Sequence, residues 1–449
     1  MGVMPIGKLL FSMSFPAMFS MFIQAMYNIV DSIFVARLGE HALTAISLAF
    51  PIQTLMIAVS VGTGVGLNSL ISRKLGEHNF KEADNAASHG VMLMALSYLV
   101  FCIFGLFFSH PFISSFTNDA EIITLGSSYT FVVTVFSFGS FLQIGNEKIL
   151  QATGNMVYPM LFQLIGAITN IILDPIFIFG MFGVPAMGVF GAAVATVTGQ
   201  ILAMAFSMYI VFFRKHEVHI TIRGFRFQWD MIKKIYAVGL PSIVMQSITS
   251  ILTIGLNNIL MAFSSAAVSV LGVYFKLQSF VFMPVFGLGQ GAMPIMGYNF
   301  GARNSKRLMH TLKLSIGVAI GIMAVGTLIF WGFTEQLLMM FNASEEMLVI
   351  GVPALRIISS SFIFSAVGIS NSNFFQAVGE GKKSLFVSVL RQLVIILPLS
   401  WFFARFFSLE AVWYAFPISE CFALVCSLLF LRNSYNTKVV PILVEGAGN

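Results

Sequence analysis

Four oxygen-bearing side chains in long apolar stretches of this sequence could together bind a small cation. Asp31 stands in the first such stretch, Asn170 and Asp174 are four residues apart in another, and Thr196 follows in the next. Residues four apart stack on one face of a helix, so an amide and a carboxylate would point to the same side. We predict that Asp31, Asn170, Asp174 and Thr196 form a site of hard oxygen ligands that holds Na⁺ or shares a proton.

The position of these acids is itself informative. An ionisable side chain in hydrocarbon costs at least ~2.5–3.5 kcal/mol on insertion scales, so it normally has a functional reason. Pro175 directly follows Asp174 and would free the carbonyl four residues back as one more oxygen ligand. A simpler interpretation stays open, in which Asp31 and Asp174 only cap or bridge helices.

Other charged side chains in apolar stretches need partners as well. Glu147 and Lys148 are adjacent, and neighbouring helical residues do not face each other. We therefore expect a poor mutual pair, with Glu147 facing a cavity or ending a helix and Lys148 reaching toward the lipid headgroups. Glu420 is expected to pair with Lys276 or Arg391, or else to take a direct part in the function of the protein.

Several of these residues, with some polar neighbours, are candidates for lining a cavity or for gating. They are Pro16, Tyr27, Asn28, Gln53, Glu147, Gln278, Lys276 and Glu420. We expect no catalytic residue and no cofactor other than the cation bound by the four oxygen ligands.

The composition of the chain indicates which kind of secondary structure contains these residues. Of the 449 residues, 57% are hydrophobic and 9% are charged, and the mean hydropathy is +0.90. Soluble domains carry about 25% charged residues, so most of this surface must face lipid. The apolar runs are about 20 residues long, the length of a helix that crosses a bilayer, and lack the alternation of a barrel strand. The sequence predicts an all-α polytopic membrane protein that binds no nucleic acid.

Twelve apolar runs are long enough to be spans. They lie at 12–36, 42–70, 89–109, 122–150, 157–181, 189–213, 235–262, 267–299, 312–333, 349–376, 384–405 and 411–432. The polar stretch 214–234 separates two sets of six. We predict an N-terminal six-helix lobe (1–213), a cytoplasmic linker (214–234) and a C-terminal six-helix lobe with a short cytoplasmic tail (235–449).

The two sets are copies of one another. A shift of 225 residues superposes Pro16 on Pro241, Gln53 on Gln278, the glycines 62, 64 and 66 on 287, 289 and 291, and Gln151-Ala152-x-Gly154 on Gln376-Ala377-x-Gly379. Copies of six spans share one orientation and are parallel repeats. Such repeats are typical of transporters with a substrate site near the midplane.

Charge distribution predicts the orientation. If the N-terminus is cytoplasmic, eighteen of the 24 Lys and Arg residues fall in inner segments, against Arg37 and Arg405 outside. Cytoplasmic loops are enriched in basic residues, so both termini are predicted to be cytoplasmic in a multi-pass cell membrane protein.

The polar motifs, in this order and at these span positions, resemble those of the multidrug and toxic compound extrusion (MATE) family over essentially the full chain. They are Pro16 with Val30-Asp31, Gln151-Ala152-Thr153-Gly154-Asn155, Asn170-Ile171-Ile172-Leu173-Asp174-Pro175, Gly191-Ala192-Ala193-x-Ala195-Thr196 and Pro417-Ile418-Ser419-Glu420.

The resemblance implies two lobes that alternate between outward and inward access and exchange amphipathic organic cations for Na⁺ or H⁺. It assigns Asp31, Asn170, Asp174 and Thr196 to the family's N-lobe cation site, and Pro16 to a bend that responds to protonation. Some branches also carry acids on spans seven and ten, where this chain has none at 246–250 or 370–373. Membrane lipids are expected partners, and a monomer would suffice.

Two other classes of protein fit less well. A flippase for lipid-linked oligosaccharides would need arginines in the spans of the N-terminal half, where only Lys148 is basic. A membrane-embedded prenyltransferase would need Asp-x-x-x-Asp motifs, and the sequence has none.

Overall fold

The computed structural model describes residues 1–214, 216–221 and 225–442, apart from the side chain of Ala36. These residues form helices and no strand. In chain order the α-helices are α1 (Ile6–Ala36), α2 (Glu40–Gly76), α3 (Phe80–Ser114), α4 (Ala120–Val135), α5 (Phe138–Ala152), α6 (Val157–Phe179), α7 (Gly188–Phe213), α8 (Trp229–Met261), α9 (Ser265–Gly301), α10 (Ser305–Gly332), α11 (Thr334–Met339), α12 (Glu345–Ser359), α13 (Phe362–Ala377), α14 (Gly381–Val389), α15 (Leu397–Phe406), α16 (Leu409–Trp413) and α17 (Ala415–Ser434).

The helices account for the twelve predicted spans. Ten segments are long and apolar enough to cross a membrane, and two bent pairs, α4 with α5 (43°) and α12 with α13 (48°), each pass as one further span. The breaks at 136–137 and 360–361 occupy matching places in the repeat. The all-α polytopic fold is therefore confirmed.

The eleventh span changes its helix type along its length. A π-helical segment, Leu390–Ile396, joins α14 to α15, and Pro398 lies in the first turn of α15. Proline lacks an N–H donor and its ring crowds the carbonyl four residues back, so a wider turn before it relieves the conflict. The span continues through the break and carries Arg391 on the π segment.

The helices gather into two compact units, each of which includes the start of a helix from the other repeat. We call Phe19–Ile243 the N unit, and Met1–Met18 with the residues from Val244 onward the C unit. The divisions in α1 and α8 fall two residues after Pro16 and Pro241 respectively. The predicted boundaries 1–213 and 235–449 describe the two sequence repeats. The compact units divide the chain at other positions, so they do not test these boundaries, which stay a prediction.

Glycines explain why the start of α8 joins the N unit. A Cβ on Gly66 of α2 would lie 2.2 Å from the carbonyl oxygen of Ile235, and one on Gly62 would lie 2.4 Å from Cγ1 of Ile243. The two helices pack at a separation that only glycine permits.

The second copy of this glycine motif does the same for α1. A Cβ on Gly291 of α9 would lie 2.7 Å from the backbone nitrogen of Ser14, and one on Gly287 would lie 2.6 Å from Cα of Met18. Each unit therefore builds the same close helix pair from a proline-containing helix and a glycine-lined helix.

Residues of the connector between α7 and α8 form hydrogen bonds with α3 in the N unit. Thr221 N donates to Ser88 Oγ at 3.0 Å, and Gln228 N donates to the buried His89 Nε2 at 2.9 Å. The structure begins α8 at Trp229, so residues 229–234 are helical and do not belong to the connector as predicted. Their polar side chains hide this first helical part from a search for apolar runs.

Candidate functional site

The four predicted cation ligands converge in the N unit from three helices. Asp31 lies near the end of α1, Asn170 and Asp174 lie on α6, and Thr196 lies on α7. Asp174 is fully buried, Asn170 and Thr196 are buried, and Asp31 is half-buried. α6 and α7 approach closely because Gly199 packs against the backbone of Gly166, where a Cβ would lie 2.7 Å from the carbonyl oxygen.

The Asn170 amide links the other side chains of this site. In its best hydrogen-bonded orientation its nitrogen donates to Asp174 Oδ2 at 2.7 Å. Its oxygen then accepts from Thr196 Oγ1 at 3.2 Å and from Thr196 N at 3.1 Å. The four-residue spacing on α6 produces the contact between amide and carboxylate, as residues on one helix face allow.

Two carboxyl groups meet in this site without a basic partner. The Asp31 and Asp174 carboxyls are within hydrogen-bonding reach of each other. No Lys, Arg or His of the described chain forms an ion pair with either of them. Two ionised carboxylates this close repel each other in a low-dielectric site, and a shared proton or a bound cation removes the repulsion.

Tyrosine and glutamine side chains complete the surroundings. Tyr27 lies beside the Thr196 side chain, and both Tyr27 and Tyr129 lie within electrostatic range of Asp31 and Asp174. Gln53 Nε2 donates to the Tyr129 hydroxyl at 3.1 Å. Tyr27 and Gln53 were predicted candidates, whereas Tyr129 was missed, because an isolated tyrosine in an apolar helix has no distinguishing sequence signal.

Asn28, another predicted candidate, lies three residues before Asp31 on α1. Its side chain is exposed and accepts a hydrogen bond from Gln24 Nε2 at 3.4 Å. Pro16 lies within α1 in the C unit. The described residues contain no cluster of three or more His, Cys, Asp or Glu that could hold a metal ion. A cation in this site would therefore also need the Asn170 and Thr196 oxygens.

The prediction for Glu147 and Lys148 was wrong in two respects. The two side chains form a direct ion pair, with Lys148 Nζ 3.3 Å from Glu147 Oε1. Lys148 is also buried and donates to Gln151 Oε1 at 3.0 Å instead of reaching the headgroups. The flexible lysine stem overcomes the divergence of adjacent helix positions, and Gly64 makes room for it, since a Cβ there would lie 2.5 Å from Lys148 Cγ.

Three glutamine amides complete the coordination of the Glu147 carboxylate. Gln143 and Gln163 donate to Oε2 at 3.2 and 3.1 Å, and Gln151 donates to Oε1 at 2.9 Å. Such a fully hydrogen-bonded buried pair is compensated within the protein, so it does not require an external ion.

The acid of the C unit also has an internal partner. Glu420 Oε1 lies 3.2 Å from Arg391 Nη1, so Arg391 and not Lys276 is the partner among the two predicted alternatives. Lys276 lies 5.8 Å from the centroid of the Phe341 ring, a cation–π distance. Gln278 is half-buried and makes no hydrogen bond to another described residue.

The repeat is visible in side-chain contacts as well as in sequence. Asn146 Nδ2 donates to Ser207 Oγ at 2.9 Å, and its counterpart Asn371 donates to Ser427 Oγ at 3.2 Å. The next two positions differ, since Glu147 and Lys148 correspond to Ser372 and Asn373. The neutral framework is thus common to both halves, and the charged groups are particular to each.

Comparison with known proteins agrees with this architecture. The MatE family model matches residues 16–176 and again residues 241–402, two stretches that begin 225 residues apart. The chain is 26% identical over 448 residues to the multidrug export protein MepA of Staphylococcus aureus (strain MSSA476), covering 98% of this chain and 97% of the relative.

Solved structures share the whole fold. An outward-facing multidrug resistance MATE family transporter of the MOP superfamily has a TM-score of 0.90 and 29% identity, with 96% of each chain covered. A MOP superfamily transporter from Pyrococcus furiosus has a TM-score of 0.89, 29% identity and the same coverage, and a reversed polarity of its binding pocket suggests a different function for it. Chains of one fold can therefore differ in pocket polarity, so the residues of this chain must decide its substrate.

Proposed function

The chain belongs to the MatE family of membrane transporters, and on that premise we propose that it exports amphipathic organic cations in exchange for H⁺ or Na⁺. Members of this family are transporters and not enzymes, and the helices make this a multi-pass membrane protein. MepA, a relative along almost the full length, is a multidrug export protein. We extend multidrug export to this chain, with small-molecule substrates, no cofactor beyond the coupling ion and a monomer as the working unit.

The observation that carries the proposal is the unpartnered acid pair. Asp31 and Asp174 meet without a basic side chain, whereas Glu147 and Glu420 are each held by a lysine or an arginine. A buried charge without an internal partner must be neutralised from outside. A transported cation or proton is therefore the natural partner of the acid pair.

Mutual exclusion at this pair would couple the two fluxes. When a proton or Na⁺ neutralises the carboxylates, the site no longer attracts an organic cation, and the converse also holds. If only one of the two can stabilise the site at a time, an inward ion gradient drives the drug outward by alternating access. In the proposed orientation, with both termini cytoplasmic, the drug enters from the cytoplasm, where the loops carry more basic residues.

Coupling to H⁺ and coupling to Na⁺ require different orientations of the Asn170 amide. Its amide nitrogen now donates to Asp174, an arrangement compatible with a protonated acid pair. Na⁺ would need the amide to turn so that its oxygen faces the carboxylates. Transport driven by each gradient separately distinguishes these cases.

A lipid-linked oligosaccharide flippase remains the second candidate on fold alone. Its polyanionic substrate needs several unpaired cations inside the N unit. The buried Lys148 of that unit is paired with Glu147, which argues against this role.

Efflux of ethidium from proteoliposomes tests the proposal. A proton or a sodium gradient is imposed separately on the wild type and on Asp31→Asn, and we expect one gradient to drive efflux only in the wild type. Absence of efflux with both gradients in folded protein, or unchanged efflux in Asp31→Asn, would contradict the proposal and favour the second candidate.

A further inference from the structure

A groove of about 730 Å³ opens on the C unit, away from the residues discussed so far. It lies between the end of α10, the last turn of α12 and the start of α17. Its walls include Trp331, Arg356, Ile357, Tyr414, Pro417 and Ile418. Ser360 and Cys421 also line the groove, and Arg356 is the charged side chain among the lining residues, so the groove fits a hydrocarbon chain with one charged contact.

The guanidinium of Arg356 is the charged group of this groove, and it has no acidic partner. Its Nε donates to Thr334 Oγ1 at 3.2 Å, and its backbone oxygen accepts from Trp331 Nε1 at 3.1 Å. No carboxylate of the described chain forms an ion pair with it, although Glu335 directly follows Thr334. The Nη groups are left to face an acceptor from outside the protein.

Three helices place this guanidinium near the boundary of the membrane. Trp331 is the penultimate residue of α10, and Tyr414 directly precedes the 20-residue α17, which spans about 30 Å. From Arg356 the tenth span continues through its 48° bend to Ala377, with about 30 Å of helix in all. Trp and Tyr are typical of the interface, where lipid phosphates lie.

We propose that this groove binds an anionic phospholipid, with its phosphodiester on Arg356 and an acyl chain along Ile357, Pro417 and Ile418. A guanidinium fork matches two phosphate oxygens and is weakly hydrated, so it suits a phosphate at the membrane surface. A lipid satisfies both the charge and the apolar walls, whereas a soluble phosphate would leave the walls exposed.

Native mass spectrometry of the full chain with added phosphatidylglycerol tests the proposal. We expect Arg356→Gln to weaken binding of the first lipid roughly fivefold to tenfold, and Arg356→Lys to weaken it less, because lysine keeps the charge and loses the fork. The matched control is Arg405→Gln, which removes an exposed arginine in the last turn of α15 that does not line the groove. This variant should bind as the wild type does.

Three results would overturn this proposal. They are equal binding by Arg356→Gln and the wild type, an equal loss in Arg405→Gln, and displacement of the lipid by glycerol phosphate alone. The last result would mean that the groove binds a soluble phosphate. Lipid binding is measured without transport, so the result tests the lipid proposal independently of the proposed export.

Discussion

Acidic side chains buried in this protein fall into two kinds that differ in their neighbours. Glu147 and Glu420 are each within 3.3 Å of a basic nitrogen, and Glu147 also accepts from three glutamines. Among the described residues, the neighbours of Asp31 and Asp174 are each other, an amide and hydroxyl groups, and neither acid forms an ion pair with a basic side chain. The first kind stabilises the fold, and the second is free to bind a cation.

The Glu147–Lys148 pair gives a prediction at the residue scale. Glu147→Gln removes the carboxylate from a buried lysine and should lower the free energy of unfolding by about 3 kcal/mol. The double variant Glu147→Gln with Lys148→Met should recover most of this loss, because no buried charge remains. Unfolding of both variants in mixed micelles measures the two values.

An exposed ion pair provides the matched control. Lys74 and Glu77 are 2.7 Å apart at the end of α2, and Glu77→Gln should cost less than about 1 kcal/mol. A similar small cost for Glu147→Gln, or no recovery in the double variant, would show that the buried pair is not a structural unit.

The sequence alone predicted that the oxygen-bearing side chains of Asp31, Asn170, Asp174 and Thr196 come together, but not their full surroundings. The spacing of Asn170 and Asp174 predicted a shared helix face, because α-helical geometry fixes it. The Lys148 contact was missed, since a long flexible stem can reach a neighbour that its backbone direction excludes. Tyr129 was missed because its importance comes from a tertiary contact with Gln53, which no local pattern encodes.

At the scale of helices, close packing depends on glycines, which gives a second prediction. Gly66→Ala would place a Cβ 2.2 Å from the carbonyl oxygen of Ile235, a backbone atom that cannot turn away. We expect a loss of stability of about 3 kcal/mol or more, and hence less folded protein in fluorescence-detected size exclusion. Gly64→Ala should cost less, because its neighbour is a flexible lysine stem.

Gly272→Ala on α9 is the control, because a Cβ at this position would meet no packed neighbour within 4 Å. Alanine there should leave the yield unchanged or slightly higher, as expected from its helix propensity. A normal yield of Gly66→Ala would contradict close packing of α2 against α8.

The membrane spans could be predicted from the sequence, but the breaks within two of them could not. Apolar runs of about 20 residues identify a span because the bilayer requires that length. The bends between α4 and α5 and between α12 and α13 contain no proline at the break. The start of α8 was misplaced because its first turns are polar.

For the whole molecule, the sequence repeats and the compact units are different divisions. The repeat follows the order of the chain, whereas each compact unit includes the first helical turns of the other repeat. The glycine motifs at 62–66 and 287–291 hold these turns in place. The sequence contains both motifs, but only tertiary structure shows which helix each one contacts.

Orientation gives a prediction at this scale. In a cysteine-free background, Asp119→Cys should react with a membrane-impermeant maleimide in intact cells, and Lys306→Cys only after lysis. The physical reason is the retention of basic loops in the cytoplasm. The reverse pattern of labelling would contradict cytoplasmic termini.

The most direct test of the proposed antiport is ion displacement by a bound drug. Tetraphenylphosphonium is titrated into the purified protein by calorimetry, in buffers of different ionisation enthalpy and with or without Na⁺. We predict that binding releases about one proton, or displaces Na⁺, in the wild type and in the control Glu420→Gln, but not in Asp174→Asn. Binding without release of either ion in the wild type, or unchanged release in Asp174→Asn, would contradict competition at the acid pair.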